Sequence, residues 1–129
     1  MRILLTGARG LPALAAARQL HRAGHEVFVC DTFPRHATGR SSAVRDSFVL
    51  PSPRFEEEAF VRDLRARVGA HGIDAVLPTG EETLYVARHR ARLRCQVLAD
   101  SVEQLAALHD KWTFNQRVAA RGLPAPRTW

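Results

Sequence analysis

The spacing of apolar residues along the chain changes repeatedly, and each change marks an element. Residues 2 to 6, Arg-Ile-Leu-Leu-Thr, form a short apolar run that stops at Gly7-Ala8-Arg9-Gly10, after which Ala13, Ala16, Ala17 and Leu20 recur at helical spacing. Pro12 near the start and Gly24 past the end bound that helix. Glu26-Val27-Phe28-Val29-Cys30 is a second β-rich run that ends at Asp31, closing a βαβ unit of about 30 residues and implying parallel strands. Pro34, Gly39, Ser41 and Ser42 mark a polar loop before a short strand at Ser47-Phe48-Val49-Leu50. Ser52-Pro53 then starts a helix: Glu56, Glu57 and Glu58 lie near the positive end of its dipole, and Phe60, Val61, Leu64 and Val68 make one apolar face.

Asp74-Ala75-Val76-Leu77-Pro78 reads as the next strand, with Thr79-Gly80-Glu81-Glu82-Thr83 at its carboxyl end and a helix from about Leu84 to His89. Cys95-Gln96-Val97-Leu98 reads as a last core strand, and Ser101-Val102-Glu103-Gln104 matches a capping box that begins another helix. His109-Asp110-Lys111 opens a further helix that Gly122 closes. Leu123-Pro124-Ala125-Pro126 stiffens the exit, and Arg127-Thr128-Trp129 reads as the start of one more strand. The alternation of β and α predicts an α/β, Rossmann-like open sheet, mostly parallel, of about four or five strands with helices on both faces.

A length of 129 residues is one domain's worth and suffices to bury roughly two-thirds of the unfolded surface. Cys30 and Cys95 lie in apolar runs far apart, with no C-x-x-C pair and no secretory leader, and read as reduced, buried thiols of a cytoplasmic protein. No apolar run approaches the roughly 18 to 20 residues of a membrane span, so no membrane partner is expected. The net charge of +6 and pI near 10.9 invite a nucleic-acid partner. The charge is dispersed, however, and the densest stretch, Arg88 to Arg94, has no interleaved aromatics and fits the solvated end of a helix. No nucleic-acid partner is therefore expected, although a non-catalytic basic binding module stays open as an alternative.

In such a sheet, ligands meet the carboxyl ends of the strands, which directs attention to Gly7–Gly10, Asp31 and the segment from Pro78 to Thr83. The first turn is either a backbone cradle for an anion or a plain βα reversal. Thr6-Gly7-Ala8-Arg9-Gly10-Leu11-Pro12-Ala13 resembles the T-G-x-x-G-x-x-G/A turn of extended short-chain dehydrogenases and epimerases, with Asp31 where a ribose-binding acid belongs. Pro12 crowds that turn, and the family's Tyr-x-x-x-Lys pair is missing: Tyr85 is followed by His89, and no lysine precedes Lys111. A phenol needs that cation for proton transfer, so an NAD(P)-binding domain is the alternative reading. His21, His25, His36, His71, His89 and His109 show no metal-like spacing, and no serine lies in a G-x-S-x-G turn.

Lys111 is the one lysine among nineteen basic residues. With Asp110 as N-cap it stands in a helix's first turn, where a cation costs about 0.3 to 1 kcal/mol unless an anion binds there. It is either a phosphate contact or an exposed lysine offset by Asp110. Leu108-His109-Asp110-Lys111-Trp112-Thr113-Phe114 followed by Gly122-Leu123-Pro124-Ala125-Pro126 resembles the passage D-K-x-x-F … G-[ILV]-P-x-P that joins the first two domains of ATP-grasp ligases, including biotin carboxylase and the large subunit of carbamoyl phosphate synthetase. Ala75 to Thr83 is similar to the fourth-strand turn of their first domain.

The resemblance implies a preATP-grasp, Rossmann-like domain over residues 1–108, then a linker helix and the start of an ATP-grasp domain over 109–129. By it, Lys111 touches the nucleotide phosphates, and Gly7, Gly10, Glu81 and Glu82 face the acceptor substrate, a small carboxylate or amine. It implies no catalytic residue on this chain, ATP and Mg2+ in the full-length enzyme with neither bound tightly here, a C-terminal ATP-grasp domain as partner, and it leaves a homodimer open.

Overall fold

A computed structural model describes residues 1–126, so the strand expected at Arg127-Thr128-Trp129 lies outside the described residues. Five strands, β1 (Arg2–Thr6), β2 (Glu26–Asp31), β3 (Asp46–Val49), β4 (Ala75–Pro78) and β5 (Gln96–Val97), form one sheet in the order β3-β2-β1-β4-β5. Every pairing is parallel. The three inner strands are near-continuous apolar runs because a parallel sheet is covered on both sides. Register aligns Leu4 with Phe28 and Val76, and Leu5 with Val29 and Leu77, so alternate residues supply two different cores.

On one face Leu4, Phe28, Cys30 and Val76 pack with Phe60, Val61, Leu64 and Val68 of α2 (Glu57–His71), Val86 of α3 (Thr83–Arg88) and Leu93 of α4 (Arg90–Leu93). On the other, Leu5, Val27 and Val29 meet Ala16, Ala17 and Leu20 of α1 (Leu11–Arg22). The expected helix boundaries hold for α1, which has Pro12 in its first turn and Gly24 beyond it at φ +83°.

Four expectations need correction. First, α2 does not start at Ser52-Pro53. Those residues make a turn in which the Phe55 and Glu56 N–H groups donate to the Ser52 carbonyl (3.1 and 2.8 Å), and the helix begins at Glu57. A helix is stabilised mainly by burying a face, and nothing before Phe60 is buried in this one. Second, β3 runs one residue earlier than expected. Third, the helix expected from Leu84 to His89 begins at Thr83 and is followed by a separate turn of helix, α4, which is capped by Arg94 at φ +56°. Fourth, β5 is an edge strand of two residues and Cys95 is only half-buried, because an edge strand has a neighbour on one side only; Cys30 is buried. Both cysteines are free thiols, and burial, then the Glu82 and Asp31 charges, push the Cys30 thiol far up and leave it inert.

The chain divides into two compact units, Met1–Ala99 and one beginning at Asp100. The second holds α5 (Val102–His109), whose start is a complete capping box between Ser101 and Gln104, and α6 (Lys111–Ala119), capped by Asp110. Among the described residues no helix is long and apolar enough to cross a membrane.

Candidate functional site

The chain leaves β1 toward β2 on one side of the sheet, while β4 lies on the other, so the crevice between the β1 and β4 turns is the topological switch point. A cleft of about 880 Å³ opens there, and all four of the expected acceptor-facing residues, Gly7, Gly10, Glu81 and Glu82, line it.

Glu82 occupies the floor. Its Oε1 accepts from the Thr6 hydroxyl (2.6 Å), the Gly80 N–H (3.1 Å) and the Thr79 N–H (3.2 Å), tying the end of β1 to the end of β4. The Thr79 hydroxyl donates in return to the Thr6 carbonyl at 2.7 Å. Little room is left on either side of this carboxylate: a Cβ at Gly7 or at Gly80 would stand 2.7 Å from one of its oxygens, so that Glu82 would have to shift, and Gly7 also has φ +67°, which favours glycine. The glycine of the first turn is thus explained by a close approach of a side chain.

Asp31 does the same for the first turn. Its carboxylate accepts from the Arg9 N–H (2.9 Å) and the Phe33 N–H (3.1 Å), and the Arg9 guanidinium lies 3.8 Å away. The Ala8 N–H donates to the Cys30 carbonyl and the Gly10 N–H to the Gly7 carbonyl, both at 3.2 Å. The N–H groups of residues 8 to 10, which a pyrophosphate would need, are therefore spent within the protein, and so is the acid that would bind a ribose.

Sequence reasoning missed the rim. Arg9 lies over the Phe33 ring at 4.7 Å and Arg54 over Phe55 at 5.5 Å, and all four residues line the cleft. The misplaced start of α2 hid the second pair, since Arg54 and Phe55 read as first-turn helix residues; the unused signal was an arginine and an aromatic directly after Pro53. Tyr85 also lines the cleft. His89 cannot serve as its proton partner: its Nε2 is 2.7 Å from Glu57 and its Nδ1 3.2 Å from the Arg92 guanidinium.

Lys111 lies in the second unit, exposed, at the first position of α6. The Asp110 carboxylate accepts from the Thr113 N–H at 2.7 Å, and that bond holds its carboxyl below the usual range. Among the described residues no carboxylate forms an ion pair with Lys111. No group of three or more His, Cys, Asp or Glu among the described residues could hold a metal ion. The two inward carboxylates of the cleft, Asp31 and Glu82, are already engaged by backbone and hydroxyl donors, so these residues do not fit a magnesium site. The basic run from Arg88 to Arg94 is partly pinned: Arg88 pairs with Glu57 (3.0 Å), Arg92 with Glu58 (2.8 Å), and Arg90 donates to the Val97 and Ala99 carbonyls.

No protein-family model matches the chain, and no characterised protein matches it by sequence. Among solved structures, an L-amino acid ligase from Bacillus licheniformis has a TM-score of 0.76 at 17% identity, over 97% of this chain and 31% of that one. A biotin carboxylase from Campylobacter jejuni has a TM-score of 0.67 at 18% identity, over 97% of this chain and 29% of that one. The Bordetella bronchiseptica enzyme WbmG, solved in complex with NAD, reaches 0.55 at 16% identity, over 74% of this chain and 35% of that one. The fold is therefore the Rossmann-like one carried by ATP-grasp ligases, as the tail and the turns imply, and the chain spans less than a third of the two ligase structures' length.

Proposed function

We propose that this chain is the first part of an ATP-grasp ligase, residues 1–108 forming its preATP-grasp domain and 109–129 leading into the domain that clamps ATP. In that enzyme a carboxylate is activated by ATP to an acyl phosphate, which an amine or other nucleophile then attacks. This chain contributes the scaffold, the acceptor cleft and one phosphate contact, Lys111, but neither a catalytic residue nor a magnesium ligand.

The observation that carries the reading is the extent of the fold match. Met1–Ala99 makes up about three-quarters of the chain, so a match over 97% has to take in the two-helix unit that bears Lys111, whereas the match to the NAD enzyme covers 74% of the chain and need not take it in. Lys111 adds a physical reason: a cation in a helix's first turn, with the capping carboxylate committed to Thr113, gains only when an anion shares the site. The NAD(P) alternative is disfavoured because the first turn's N–H groups are spent on Asp31 and backbone carbonyls.

The test is the protein encoded by the whole reading frame. It should release ADP only when carboxylate and nucleophile are both present, and Lys111→Ala should raise its KM for ATP by roughly tenfold, the worth of one charge-assisted contact. The 129-residue chain alone should not hydrolyse ATP. A stop codon directly after Trp129, turnover by this chain alone, or an unchanged KM would overturn the proposal.

A further inference from the structure

The cleft's floor is chemically closed and its rim is not. Asp31 and Glu82 spend their carboxylates on N–H and O–H donors, and Arg9 is committed to Asp31. Arg54 forms no ion pair among the described residues, although it lines the same cleft. Its loop is fixed rather than slack: Leu50 is buried with its N–H on the Asp31 carbonyl (3.0 Å), Pro51 and Pro53 restrict φ, and the Phe55 and Glu56 N–H groups close onto Ser52. Phe33 and Phe55 are 54% and 79% exposed, an arrangement that leaves large apolar surface in water with nothing among the described residues to cover it. A guanidinium lying on a ring face keeps its edge donors available for a planar anion.

We propose that the cleft takes a small molecule with an anionic head, carboxylate or phosphate, on an apolar body, the head held by Arg54 and the body against Phe33 and Phe55. This inference deepens the acceptor-cleft reading above and rests on it.

The test is a heteronuclear NMR titration of the chain, without ATP, using hydrocinnamate, phenyl phosphate, inorganic phosphate and neutral hydrocinnamamide. The two aromatic anions should shift the Arg54 side-chain N–H and the amides of residues 52–56 at millimolar concentration, with the amide binding roughly tenfold more weakly. A preference between the two anions identifies the head, and either order supports the proposal. Arg54→Gln should bring the anions down to the level of the amide, and Phe55→Ala should weaken all three aromatic probes alike. Equal binding of the amide, a preference that survives Arg54→Gln, equal shifts from inorganic phosphate, or no shift from any probe would overturn it. Because no nucleotide is present, failure here is separate from failure of ATP-dependent ligation in the longer protein.

Discussion

The floor and the rim of the cleft both carry charged groups and treat them oppositely. On the floor Asp31 is 6% exposed and Glu82 is half-buried, and each carboxylate is met by several donors held in place by the backbone. On the rim Phe55 is 79% exposed and the guanidinium above it pairs with no acid among the described residues. A buried polar group that is fully satisfied holds structure together, and removing its partner is costly; an exposed one has little to lose in stability and everything to gain from a ligand. Acidic residues at the ends of parallel strands are therefore poor evidence of binding until their donors are counted.

Removing Glu82 tests the floor most severely. Glu82→Ala leaves the Thr6 hydroxyl, 1% exposed, without its acceptor and unties the β1 and β4 ends. A buried donor left unsatisfied costs about 1 to 3 kcal/mol, and with the two N–H groups partly rehydrated the total expected is about 2 to 3 kcal/mol, a fall in Tm of roughly 10 °C. A Tm within about a degree of the parent would mean that Glu82 is not a staple and is free to meet a ligand.

These two roles differ in how far the sequence reveals them. The strands, the α2 face and the capping of α5 and α6 follow from local spacing, because each depends on residues a few positions apart. The turns Gly7–Gly10 and Pro78–Thr83 are visible as tight and polar, and Gly7, Gly10, Glu81 and Glu82 do line one cleft. That Glu82 bonds Thr6, 76 residues away, is fixed by β1 lying beside β4, and no pattern in the chain states that adjacency. The rim was obscured by a local signal that lost to a tertiary one: Ser52-Pro53 has the composition of a helix start, but α2 begins where its side chains reach the core and where Glu57 and Glu58 reach His89, Arg88 and Arg92.

Gly7 sharpens the comparison at smaller amplitude, with Gly24 as its control. Both have left-handed φ, +67° and +83°, but a Cβ at Gly24 meets nothing within 4 Å, whereas one at Gly7 meets the Glu82 carboxylate at 2.7 Å. Gly24→Ala should cost only the backbone strain, about 1 kcal/mol, and Gly7→Ala about 2 kcal/mol, since Glu82 can move aside only by giving up its hydrogen bonds. In a Glu82→Ala background the Gly7→Ala penalty should fall to that of Gly24→Ala, a coupling readable in a double-mutant cycle of urea melts. Strict additivity would show that the carboxylate is not what reserves this position for glycine.

Glu57 lies between the two extremes, paired like the floor but 31% exposed, and its effect should be the smallest and depend on pH. Its carboxyl is held below the usual carboxylate range, first by its hydrogen bond with His89 and then by Arg88, against an opposing effect of desolvation. A carboxylate whose folded pKa is depressed stabilises the fold fully above its unfolded value, about 4.3, and loses that contribution as pH falls through the lower folded value. Glu58, held down by Arg92, and Asp110, held down by Thr113, act in the same direction. Glu57→Gln should therefore destabilise by less than about 1 kcal/mol at neutral pH, and the gap between parent and variant should narrow below about pH 4. Urea midpoints measured at the two pH values decide the point: a gap that stays constant would locate the loss in packing of the α2 start against α3 and α4 rather than in the charge of Glu57.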